Sequence, residues 1–183
     1  MWEWEKLENE CRNCTRCSLH ESRTNVVIER GNREAGLMFI GEAPGATEDR
    51  LGKAFVGRAG KLLDLALGGL DITEEDIYIC NILKCRPPNN VNPTITQAEE
   101  CMGYLDRQIE LVKPDVIVLL GGQALKYLLN TETGITKSRG IWTEYRNIPV
   151  MPTFHPAALL RDGTKRIYMW KDIKEAWKRS TAD

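Results

Sequence analysis

Three of the six cysteines stand within seven residues, as Cys11-x-x-Cys14-x-x-Cys17. That density exceeds what core filling needs. Such a loop presents two or three thiolates to one metal centre while nearby backbone N–H groups hydrogen-bond the sulfurs. Cys85 and Cys101, sixteen positions apart, can complete a four-thiolate site for zinc or for an iron–sulfur cluster. Zinc knuckles pair two Cys-x-x-Cys units, so the wide second spacing tilts the choice toward iron–sulfur. Cys80 ends the apolar run Ile77-Tyr78-Ile79 and reads as a buried strand thiol. Cys11 stays open between a spare thiol and the partner of Cys14.

A second group of residues has the types for acid–base chemistry. His155, one of two histidines, stands between an apolar run and Pro156. His20 has no such context and reads as a surface residue. Gly41-Glu42-Ala43-Pro44-Gly45 lacks the Lys-Ser/Thr of a phosphate-binding P-loop and the spacing of a dinucleotide fingerprint, which disfavours nucleotide binding by those routes. Read on to Gly60, it forms a long glycine-punctuated loop with Glu42, Glu48, Asp49 and Phe55. Loops of this length inside a compact domain are usually functional. The plainer alternative is a solvated acidic turn with Phe55 tucked into the core.

The elements that position these residues alternate. Leu37-Met38-Phe39-Ile40-Gly41 is a short apolar run ending in glycine, and residues 60–67 follow as a helix with one apolar face. Residues 77–83 form a second strand before the loop Arg86-Pro87-Pro88-Asn89-Asn90. Thr94 and Gln97 make a capping box for a helix whose apolar residues, from Ile95 to Val112, repeat at three and four positions. Pro114 stops it. Residues 115–120 are β-branched without alternation, as in a strand covered on both faces, and Gly121-Gly122 turn the chain into a helix over residues 123–129. Residues 150–154 are a fourth strand, and Ile167, Trp170, Ile173 and Trp177 mark a closing helix. This order predicts one α/β domain over residues 1–183 around a parallel sheet. Working sites in such sheets lie beyond the carboxyl ends of the strands, where Gly41 to Gly45, Asn81 and His155-Pro156 converge.

Composition bounds the rest. A chain of 183 residues, 42% hydrophobic and 28% charged, can bury a core without disulfides. No apolar run approaches the length of a membrane span. The start Met-Trp-Glu-Trp-Glu-Lys-Leu-Glu lacks signal-peptide design, so a cytoplasmic location is expected. The formal net charge of −1 excludes a globally basic nucleic-acid binder but not a local patch. Residues 161–183 carry seven Lys/Arg against four acids, whereas residues 1–10 carry four Glu against one Lys.

Residues 41–63 resemble the first signature of the family 4 uracil-DNA glycosylases, the iron–sulfur branch of that superfamily. His155-Pro156-Ala157-Ala158-Leu159-Leu160-Arg161 resembles the second. Cys14, Cys17, Cys85 and Cys101 match the four ligands of the family's [4Fe–4S] cluster, which leaves Cys11 a non-ligand. The similarity covers roughly residues 11 to 175, with separated motifs in the right order. It implies a three-layer domain with a central four-stranded, mainly parallel sheet, and a cluster that pins segment 11–17. It also implies base-excision repair: uracil is flipped from DNA and its glycosidic bond hydrolysed, leaving an abasic site.

On this resemblance Phe55 stacks on the base, Gly41 and Ala43 line its pocket, and Asn81 reads its edge. An amide offers the donor and acceptor that fit uracil O4 and N3–H, and cytosine presents the reverse. His155 donates to O2 as charge grows there. Glu42 is the first choice for the carboxylate that positions water, Glu48 the second, and Asp49 braces the loop. Leu159 and Leu160 form an exposed wedge, flanked by Pro156 and Ala157, while Arg161 meets a phosphate. Gly57, Arg58 and Gly60 at a helix start suit another phosphate. The partner is uracil-containing DNA, single- or double-stranded. A monomer is expected, with a sliding clamp as a candidate partner.

Several positions depart from the superfamily's patterns. Ala43 stands where family 1 enzymes carry a water-activating Asp, and Gly45 where they use Tyr to exclude thymine, a task that falls here to another loop residue such as Glu48. Ala54 replaces a proline before Phe55, and Val91 an arginine in the Pro-rich loop. The histidine-bearing insertion of the DNA-crosslinking relatives is missing near Gly52. Two rival readings are a non-catalytic iron–sulfur or zinc module that binds DNA or a replication protein, and a glycosylase for deaminated purines.

Overall fold

Four apolar runs become four parallel strands because helices cover both of their faces and leave no solvent side to alternate toward. In the computed structural model, which describes residues 2–182, these are β2 (Leu37–Gly41), β3 (Ile77–Asn81), β4 (Val116–Leu120) and β6 (Ile148–Thr153). Every residue of the first three is buried. The register pairs Leu37 with both Ile77 and Val116, Gly41 with Asn81, and Leu120 with Thr153. The carboxyl ends of all four strands therefore reach one rim.

The sheet has six strands, in the order β1-β3-β2-β4-β6-β5, and not the four expected. The additional edges are β1 (Arg30–Gly31), antiparallel to β3, and β5 (Thr143–Tyr145), antiparallel to β6. Two- and three-residue strands carry no periodicity to detect. The β5–β6 hairpin closes through Arg146 and Asn147, both at positive φ, the backbone of a tight primed turn. No Asn-Gly pair marks it.

Side chains alternate between the two faces. Leu37, Phe39, Val116 and Val118 meet α3 (Arg58–Gly68), α7 (Pro156–Arg161) and α8 (Arg166–Ser180). Met38, Ile40, Ile117 and Leu119 meet α4 (Ile95–Val112) and α5 (Gly122–Leu129). The layer order is thus helix, sheet, helix, as expected. A smaller core joins α1 (Trp2–Arg12) to α4 through Leu7, Cys11, Leu19, Cys101 and Tyr104.

The capping box of α4 forms as read. Gln97 N–H donates to Thr94 Oγ1 at 3.2 Å, and Thr94 N–H donates to Gln97 Oε1 at 3.0 Å. Three local expectations change. The long loop after β2 contains a short helix, α2 (Ala46–Leu51). Strand β3 ends at Asn81, although Ile82 and Leu83 still donate to the carbonyls of Gly41 and Glu42. Helix α8 buries Met169, Asp172, Ile173 and Ala176, while Ile167 is 50% exposed. Asp172 belongs to the buried stripe because it accepts from Thr153 Oγ1 at 2.7 Å and from the Arg139 guanidinium. A paired carboxylate can be buried where a free one cannot. The remaining short helix is α6 (Ile135–Ser138). No helix among the described residues is long and apolar enough to cross a membrane.

Candidate active site

A cleft of about 600 Å³ opens at the rim of the strand ends. Glu42, Phe55, Asn81, His155, Arg58 and Arg161 all line it, so residues far apart in sequence meet in one place.

Asn81, the last residue of β3, is 2% exposed, and its Oδ1 is buried without a hydrogen-bond partner. An unpaired amide oxygen costs roughly 1–3 kcal/mol. Gly41 sits opposite it in the register. A side chain there would collide with both the Phe55 ring and the Asn81 amide, so only glycine lets the two stand side by side. Phe55 holds φ at +51°, a conformation that costs about 1–2 kcal/mol for a bulky residue and tends to collect at functional sites. Its ring is 5.8 Å from that of His155.

His155 precedes α7 as its N-cap. Its Nδ1 accepts the Ala157 N–H at 3.0 Å. That bond requires an unprotonated Nδ1, which leaves the hydrogen on Nε2 as a donor. Burial, aided by the charge of Arg161 and opposed by Glu48, pushes the imidazole down to about 4. His155 is therefore a neutral donor near pH 7. Gly121, at φ +93°, lets β4 pass close behind it, since a Cβ there would lie 2.8 Å from His155 Cβ.

The carboxylates divide by their partners. Glu48 accepts from the N–H groups of Gly45 (3.2 Å), Val56 (3.0 Å) and Gly57 (2.7 Å), which spends it on bracing the loop. Asp49 also braces, accepting from Thr24 N–H at 2.9 Å and Asn25 N–H at 3.2 Å. The Glu42 carboxylate makes no hydrogen bond or ion pair among the described residues, and burial raises it above the ordinary value. Of the three carboxylates it is the one without a partner among the described residues. Glu48, the second choice for positioning water, is the carboxylate that these three N–H groups engage.

Ala43, Gly57 and Ala157 also border the cleft. Gly60 and Pro156 are buried behind it. The paired wedge does not form. Leu160 is 47% exposed, but Leu159 is 3% exposed and packs in the core under α7. A short amphipathic helix can point only one of two adjacent residues outward. Ala54 is buried and donates to Glu29 O at 3.4 Å, which a proline could not do. Val91 stands exposed on the cleft wall.

The thiols of Cys11, Cys14, Cys17, Cys85 and Cys101 border a separate cavity of about 20 Å³. All six cysteines are free. Arg23 Nη1 donates to Cys85 Sγ at 3.2 Å and to Cys14 O at 3.0 Å, and Lys84 N–H donates to Cys101 Sγ at 3.4 Å. Donors aimed at sulfur are the surroundings a thiolate centre needs. Burial pushes the Cys101 thiol up to about 11 and that of Cys11 to about 12. Among the described residues no three His, Cys, Asp or Glu side chains converge as a single-ion site requires. The donor set fits a thiolate-bound group joining three chain segments, those of Cys14 and Cys17, of Cys85 and of Cys101. Cys80 is fully buried in β3, apart from this cavity. Arg23, Lys84 and Gly121 were not identified in the sequence, where no spacing or motif signals them.

A doubly covered parallel sheet with an amide, a neutral imidazole and a desolvated carboxylate at its carboxyl rim defines a class. The pattern of the Uracil DNA glycosylase superfamily matches residues 28–179, and the chain belongs to that superfamily. Within it, the chain is 44% identical to the type-4 uracil-DNA glycosylase of Thermotoga maritima, over 94% of this chain and 92% of that protein. It is 43% identical to the type-4 enzyme of Archaeoglobus fulgidus over 84% of this chain and 81% of that one. The Sulfurisphaera tokodaii type-4 enzyme shares 41% over 93% and 82%.

Proposed function

We propose that this protein hydrolyses the N-glycosidic bond of uracil in DNA, without a covalent enzyme intermediate, and leaves an abasic site. The observation that carries the reading is the buried, unpartnered Asn81 Oδ1 at the floor of a cleft that also holds Phe55, His155 and Glu42. A flipped uracil offers N3–H to Asn81 Oδ1 and takes the amide N–H at O4. Phe55 supplies the apolar face against the ring. His155 donates Nε2–H to O2, where charge develops as the bond to C1′ breaks, and a neutral donor avoids competing with that leaving charge for a proton. Glu42 holds the water that attacks C1′ and faces the cationic sugar.

Arg58 and Arg161 at the cleft edge suit phosphates, and Leu160 is the residue of α7 placed to fill the vacated stack. Cys14, Cys17, Cys85 and Cys101 would hold a [4Fe–4S] cluster, the group proposed for the thiol-lined cavity. When bound, that group cross-links the N-terminal segment, the Pro-rich loop and α4, and the hydrolysis itself transfers no electron. A cytoplasmic monomer acting on DNA completes the proposal.

The test is uracil release from an oligonucleotide by the Asn81→Ala variant. The reading requires loss of about 10²-fold or more in rate with iron content and unfolding temperature unchanged. Full activity in Asn81→Ala would remove the edge-reading role.

A further inference from the structure

Lys84 is 1% exposed and is the one lysine among the buried side chains of the described residues. An ammonium is among the costliest groups to take out of water, and it stays buried only when hydrogen bonds and opposite charge compensate it. Its Nζ donates at 2.5 Å to the backbone carbonyl of Asn81. No carboxylate pairs with it among the described residues. Its own N–H donates to Cys101 Sγ at 3.4 Å, and the residue borders the thiol-lined cavity. At the far end of this chain of contacts, no hydrogen bond among the described residues holds the Asn81 side chain. The grip on that residue is on its backbone.

We propose that Lys84 is a positioning residue: its buried ammonium, bound to the Asn81 carbonyl at the border of the thiol-lined cavity, locks the Asn81 peptide and so aims the amide that reads uracil. The inference rests on the glycosylase reading and deepens it, because it joins the thiol-lined cavity to the cleft through one side chain.

The experiment uses the iron-loaded full chain. Lys84→Met keeps the length of the side chain and removes both charge and donor. Uracil release in a single turnover is expected to slow by about tenfold to hundredfold, the size of a hydrogen bond from a charged group. The double variant Lys84→Met/Asn81→Ala should be no slower than Asn81→Ala, because Lys84 acts only through Asn81. The midpoint potential of the cluster should move to more negative values, since a positive charge beside the thiolates is gone. Lys84→Gln keeps a donor without the charge. It should recover part of the rate while showing the same shift in potential.

Losses that multiply in the double variant, or a potential that does not move, would overturn the proposal. So would failure of both Lys84 variants to retain iron, which would make the residue purely structural. A wild-type protein inactive on uracil would overturn the glycosylase reading itself and the positioning role with it. Wild-type activity with multiplying losses would overturn the positioning role alone.

Discussion

The cleft at the strand ends spans about 600 Å³ and keeps hydrogen-bonding capacity unspent, in Asn81 Oδ1, Glu42 and the Nε2–H of His155. The thiol-lined cavity beside it is about 20 Å³, and donors from Arg23 and Lys84 already point at its sulfurs. One region holds polar groups away from partners so that a substrate can supply them. The other compensates its polar groups from within the chain. Unsatisfied buried groups cost stability and gain from a ligand, whereas satisfied ones stabilise the chain and offer a ligand less. On the proposed function, the contrast separates a site for chemistry from a site for holding the fold together.

Breaking each region should therefore give a different phenotype. The largest effect is expected from Cys101→Ala, which should abolish iron binding after anaerobic reconstitution and lower the unfolding temperature, as iron analysis and calorimetry would show. An iron-replete, thermally unchanged Cys101→Ala would break the assignment of that cavity. His155→Ala should slow uracil release by about 10²–10³-fold, the loss typical of a donor at developing charge. Its iron content should match the wild type.

The pH behaviour sharpens the same comparison. His155 sits at about 4 in the folded chain, below the roughly 6.5 of a free imidazole. The unfolded chain therefore takes up a proton first as pH falls. Stability from this residue is fully present above 6.5 and is lost toward 4, by about 3 kcal/mol in denaturant titrations. His155→Gln should flatten that slope. The rate constant kcat/KM should show no step near 6.5, because the donor stays neutral there. Its acid limb should lie above the usual carboxylate range and be abolished in Glu42→Gln, since burial raises Glu42.

The smallest effect on rate is expected from Leu160→Ala, a loss of severalfold in the rate on double-stranded substrate and less on single strands. Leu159→Ala should act elsewhere, lowering stability by about 2–5 kcal/mol as a core truncation. If Leu159→Ala left stability intact and slowed only the double-stranded reaction, the burial of Leu159 would not describe the working enzyme.

Much of this was legible in the sequence where one physical rule dominates. The four parallel strands follow from apolar runs without alternation, and α4 from its capping box and period. The convergence of Asn81, His155 and Glu42 follows from their places at strand ends. What escaped depends on partners distant in the chain. Asp172 looks like a surface residue until Arg139 and Thr153 meet it. Glu48 and Glu42 are equivalent in type, and only the N–H groups of Val56 and Gly57 distinguish the brace from the free carboxylate. Lys84 resembles any other lysine until its burial is seen. The edge strands are too short to register in any pattern.

Uracil hydrolysis is decided by incubating anaerobically purified, iron-replete protein with an oligonucleotide holding a single uracil, and with the same oligonucleotide holding thymine. Alkali-labile breakage is expected at the uracil position alone, with free uracil released. An intact uracil strand in the presence of fully loaded protein would contradict it.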